Sequence, residues 1–117
     1  MYLYLLHERE FININQNIYK LHFTNNNINL FINEIPKNSN ILLFYYIDMN
    51  KININIFNII LKRFIKYFKQ RNDIGENYFE GNLDMMIEII NDILYNKIYI
   101  EYKYTEDKLF CNGNLFP

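Results

Sequence analysis

Residues 1–23 read Met1-Tyr2-Leu3-Tyr4-Leu5-Leu6-His7-Glu8-Arg9-Glu10-Phe11-Ile12-Asn13-Ile14-Asn15-Gln16-Asn17-Ile18-Tyr19-Lys20-Leu21-His22-Phe23, and this stretch decides the fold. Residues 1–7 are a short run rich in Tyr and Leu with no polar alternation, the pattern of a strand covered on both faces. His7-Glu8-Arg9-Glu10 interrupts it. Phe11 to Asn17 alternates Ile with Asn and reads as an extension of a hairpin arm. Residues 18–23 read as a second strand, antiparallel to the first.

Further along, Thr24 and the asparagines after it are good helix N-caps. They open a short helix at about 27–34 that would bury Ile28, Phe31 and Ile35. Pro36 stops that helix, because the residue before proline avoids helical angles. Ile41-Leu42-Leu43-Phe44-Tyr45-Tyr46-Ile47 marks a strand over 40–48. Residues 50–70 read as a helix with Lys51, Asn55, Asn58, Lys62, Lys66 and Lys69 on one stripe. Phe57, Ile60, Phe64, Tyr67 and Phe68 lie on the opposite face. Arg71 to Asn77 reads as a loop. Asn82 caps a second amphipathic helix, 83–95. It buries Leu83, Met86, Ile87, Ile90 and Leu94, and exposes Asp84, Glu88 and Asp92. Residues 97–104 alternate as a final half-exposed strand, and 105–117 form a tail with no firm period. The order strand, strand, helix, strand, helix, helix, strand predicts an α+β layer with helices packed on a short sheet.

Composition narrows the function classes. The chain has 117 residues, half of them hydrophobic, so disorder is excluded as its main description. Its length fits one domain, expected over 1–104. The formal net charge is −1, so bulk charge does not imply a strongly basic nucleic-acid module. One cysteine, Cys111, excludes an intrachain disulfide and a thiolate-rich metal site. Ile and Asn number 21 each, while Ala, Val and Trp are absent. That skew fits an AT-rich genome better than an Asn-rich aggregation tract, because the asparagines are interleaved with isoleucine. The start lacks a basic signal-peptide region, and the longest apolar run falls far short of the roughly 20 residues that span a bilayer. A soluble, intracellular protein with no membrane role is expected.

Three segments carry a resemblance. They are Tyr2-Leu3-Tyr4-Leu5-Leu6 with Glu8-Arg9-Glu10-Phe11, then Asn17-Ile18-Tyr19-Lys20-Leu21, and Ile35-Pro36-Lys37-Asn38-Ser39 followed by Gln70-Arg71-Asn72-Asp73-Ile74-Gly75-Glu76-Asn77-Tyr78-Phe79-Glu80-Gly81. Together they resemble GIY-YIG nuclease-like domains, in the branch found in large DNA viruses and phages, over roughly residues 1–95. The 70–81 block is the most specific part. The resemblance implies a small three-stranded antiparallel sheet flanked by helices, here with an added C-terminal strand. For a virus it also implies the host cytoplasm or nucleus.

It also implies an active site of two tyrosines, an arginine that clamps phosphate and a glutamate that holds one Mg²⁺. Tyr4 matches the first tyrosine. The second tyrosine position is Lys20, and the glycine that follows it in the family is His22. The arginine position falls at Phe31 and the metal glutamate at Phe57. Tyr4, Lys20 and His22 are thus vestigial catalytic candidates, and no metal site is expected unless the site is rearranged. The expected function is a catalytically degenerate endonuclease-like domain that retains nucleic-acid or partner binding. The alternatives are a protein-interaction domain with no nucleic-acid role and an active metal-dependent nuclease with a rearranged site.

Lys62, Arg63, Lys66, Lys69 and Arg71 are the candidates for phosphate contacts with DNA or RNA, which would be weak and non-specific. The same residues also read as an ordinary solvated helix face. Tyr4 reads first as a packed strand tyrosine, and His22 as a general base beside Tyr4 although the sequence places no carboxylate or serine near it. His7, Glu8 and Glu10 form a loose ligand set whose neighbours point to opposite faces of a strand. Glu80 is expected in the turn before the last helix, near that helix's N-terminus.

Overall fold

The computed structural model describes residues 1–25, 28–48 and 55–95, apart from the side chains of Ile28, Asn29 and Phe31. The first strand, β1 (Tyr2–His7), lies inside a sheet of five described strands, flanked on both sides. It pairs antiparallel with β2 (Ile18–Thr24) on one side, with Tyr4 opposite His22 and Leu6 opposite Lys20. On the other side it pairs antiparallel with β3 (Asn40–Tyr46), with Tyr4 opposite Phe44 and a register shift between Leu5 and Leu6. The sheet order is β3-β1-β2-β5-β4.

The last two strands extend the expected sheet from three strands to five. β4 is Lys69–Gln70 and β5 is Tyr78–Glu80, a two-residue and a three-residue strand around the 71–77 turn. β5 pairs with β2, placing Tyr78 beside Lys20 and Glu80 beside Ile18. The expected C-terminal strand 97–104 and the 105–117 tail lie outside the described residues.

Alternation in β1 sends Leu3 and Leu5 to one face and Tyr4 and Leu6 to the other. The first face meets α3 (Ile56–Tyr67) and α4 (Leu83–Leu94). Leu3, Leu5, Leu21, Phe79, Ile60, Phe64, Met86 and Ile90 form its solvent-free core. Each fully buried side chain of this size contributes about 1.5–3 kcal/mol. The second face carries a smaller cluster of Tyr4, Leu6 and Phe44, closed by Tyr2, Ile35 and Ile41. Cover on both faces explains why β1 shows no polar alternation.

The helices start where their caps predict. Asn55 Oδ1 accepts from the Asn58 amide at 3.1 Å, and Asn82 Oδ1 accepts from the Met85 amide at 3.0 Å. α2 (Ile28–Glu34) ends ahead of Pro36. Thr24 belongs to β2 and is buried there. α3 stops at Tyr67 rather than residue 70, because Phe68 turns extended and leads into β4. With the helix ended, Tyr67 is half exposed rather than buried. The 11–17 segment is not a hairpin arm. Arg9–Asn13 forms a short helix, α1, and Phe11 alone of its residues is buried.

Asparagine takes the left-handed positions in this glycine-poor chain. Asn15, Asn38 and Asn77 all have positive φ, between 56° and 66°. A short polar side chain tolerates that region better than other non-glycine residues. Gly81 serves a different purpose. A Cβ there would lie 2.6 Å from Phe68 Cδ1, so the bare backbone lets the β5–α4 corner close over that ring.

Candidate functional sites on the sheet and the helical layer

The second face of the sheet gathers the polar groups. Register places Tyr4 and His22 side by side, with ring centroids 5.3 Å apart. Two positions along β2, the Lys20 ammonium lies 5.7 Å from the centroid of the Tyr78 ring. Tyr78 reaches across to α1's entry and donates its hydroxyl to Glu8 Oε1 at 2.6 Å. Tyr4, Lys20 and His22 therefore do share one surface.

Glu34, at the end of α2, is the member the sequence did not reveal. Burial pushes the Tyr4 hydroxyl up to about 12, helped by the charges of Glu34 and then Glu8. Burial lowers His22 below its ordinary value, assisted by Lys20 and opposed by Glu34. Burial and the Glu8 hydrogen bond hold the Tyr78 phenol above its usual range. At neutral pH the cluster thus holds two protonated phenols and a neutral imidazole. A tyrosine that must accept a proton needs the opposite shift.

Phe57 does not belong to this cluster. Its ring packs 5.0 Å from Phe23, with the core on the opposite face of the sheet from Tyr4. Phe57 thus packs on the core, as its place on the apolar face of the helix implies. The Phe31 side chain lies outside the described residues. Among the described residues, no three His, Cys, Asp or Glu side chains converge where a metal ion could sit. His7 instead uses Nε2 on the Gln16 carbonyl at 2.9 Å and packs its ring against Tyr19.

The 70–81 block folds as a clasp. The Arg71 guanidinium donates to both Asp73 oxygens, at 2.9 and 2.8 Å, and to Glu80 Oε1 at 2.8 Å. The Arg71 amide also donates to the Tyr78 carbonyl. One planar fork thereby ties both arms of the hairpin to its turn. Glu80 sits in β5 and pairs with Arg71, so it does not serve the α4 N-terminus; Asn82 does. Arg71 is accordingly removed from the free basic set.

The remaining candidate cations lie on α3 and on the β4 strand that follows it. Lys62, Arg63 and Lys66 are exposed on α3, and Lys69 is exposed on β4. Arg63 leans towards α4 and meets Asp92 at 3.6 Å. Lys62, Lys66 and Lys69 make no salt bridge among the described residues. No helix among the described residues is long and apolar enough to cross a membrane. No family model, curated protein or solved structure matches the chain.

Proposed function

We propose that this chain is a GIY-YIG-like domain without nuclease activity that binds nucleic acid through Lys62, Lys66 and Lys69. The observation that supports this is the set of exposed ammonium groups, Lys62 and Lys66 on α3 and Lys69 on β4, none of which makes a salt bridge among the described residues. Three phosphate contacts give weak, salt-sensitive and sequence-independent affinity. The non-catalytic half rests on the resemblance, which puts Phe31 and Phe57 where a phosphate-clamping arginine and a metal-holding glutamate would stand.

Incubation with supercoiled DNA and Mg²⁺ or Mn²⁺ tests that half: the plasmid should stay intact. Cleavage that disappears in Tyr4→Phe would establish an active, rearranged nuclease instead. The second reading is a protein-interaction domain with no nucleic-acid role. It is favoured by exposed Tyr67 and Met85 beside the Arg63–Asp92 pair, and absence of nucleic-acid binding at low salt would select it.

A further inference from the structure

The groove between α3 and α4 lies beside the lysine stripe and is not used by it. It forms a cavity of about 330 Å³ lined by Arg63, Tyr67, Met85, Glu88, Ile89 and Asp92. Tyr67 and Met85 are 49% and 40% exposed, large values for an aromatic and a thioether side chain, while Ile89 is buried. The Lys66 ammonium lies 5.4 Å from the centroid of the Tyr67 ring, so a cation adjoins the flat face. Asp92 is engaged by Arg63, whereas Glu88 makes no ion pair among the described residues.

A flat ring with a cation beside it and a free acceptor opposite suits a flat, hydrogen-bonding ligand on a charged backbone. Bases in a duplex are stacked on one another and offer no free face, whereas a single strand does. We propose that this groove takes one unpaired base of a single-stranded nucleic acid, stacked on Tyr67, with its flanking phosphates on Lys62 and Lys66. The inference rests on the nucleic-acid reading above and names its substrate class. Glu88 then faces the edge of the base. Guanine suits it best, because its N1–H and N2 amino donors lie side by side and match the two oxygens of one carboxylate.

The test uses labelled oligonucleotides of about ten nucleotides: oligouridine, the same strand with one central guanosine, and a duplex of equal length, at about 50 mM salt. The guanosine strand should bind tightest and the duplex weakest. Tyr67→Ala should weaken single-strand binding about tenfold, and Tyr67→Phe should preserve it. Tyr67→Ala should also leave duplex binding and the salt dependence unchanged. Glu88→Ala should abolish the guanosine preference. Equal affinity for duplex and single strand, or indifference to Tyr67→Ala, overturns this inference alone. A single-strand preference without a guanosine preference overturns the Glu88 contact. Failure of every oligonucleotide to bind overturns the proposed function along with it.

Discussion

The Tyr78 hydroxyl donates a 2.6 Å hydrogen bond to Glu8 Oε1 across 70 positions of sequence. It joins the edge hairpin to the start of α1 and passes over Lys20 on the way. Tyr78→Phe removes the donor and leaves a partly covered carboxylate without it. The expected cost is about 1–2 kcal/mol, read as a lower urea midpoint with an unchanged slope. A midpoint equal to wild type would show that water replaces the phenol fully.

Arg71 should act as a structural clasp. Arg71→Lys should lower the melting temperature nearly as much as Arg71→Ala, because an ammonium cannot hold Asp73 bidentately while also reaching Glu80. The Arg71 hydrogen bonds hold the Asp73 carboxyl below its ordinary value. A depressed carboxylate contributes stability above its unfolded pKa, near 3.9. That contribution is lost as pH falls through the folded value. The Arg71 variants should therefore lose less stability than wild type on acidification through that window, followed by thermal melts.

A carboxylate placed at Phe57, where the proposed GIY-YIG likeness would put the metal ligand, should fail to create a metal site. Phe57→Glu places a charge against Phe23 and the α3 core, away from Tyr4. The expected loss is about 2–4 kcal/mol with no gain of Mg²⁺-dependent cleavage. Cleavage by this variant would mean that the two positions do converge.

His22 should give the fold a pH dependence on the neutral side. Its folded pKa is lowered by burial and Lys20, against the opposing pull of Glu34, so the unfolded chain binds the proton more readily. Stability is then full above the unfolded value, near 6.5, and falls as pH drops from there towards the folded value. Replacing the imidazole by Phe should flatten melting temperature across that interval. A wild-type curve that is flat there would contradict the assignment.

Much of this architecture is legible in the chain. β1, β2 and β3 follow from Tyr- and Leu-rich runs of strand length, and α4 from Asn82 and its apolar spacing. β4 and β5 escape because two and three residues carry no period. α1 is disguised by the Ile/Asn alternation of Phe11 to Asn15, which imitates a strand while burying Phe11 alone. The candidate site is only half legible. Tyr4, Lys20 and His22 are singled out by the resemblance alone, and strand register puts them on one face, but Glu34 and Glu8 join them through space from helix ends. Arg71 looked like a free cation because its partners, Asp73 and Glu80, meet it only once the hairpin closes. Tyr67 falls on the apolar side of α3 by spacing, yet as the last residue of the helix it is half exposed.

The most direct test of the account is nucleic-acid affinity measured against salt for wild type and the Lys62/Lys66/Lys69→Ala variant. Three released counterions per duplex predict a slope of about −2.7 in log affinity against log salt, or roughly a 40-fold loss from about 50 to about 200 mM. The triple variant should show a slope near zero and little binding even at low salt. Wild type that fails to bind at low salt, or a triple variant that binds with an unchanged slope, would contradict the account.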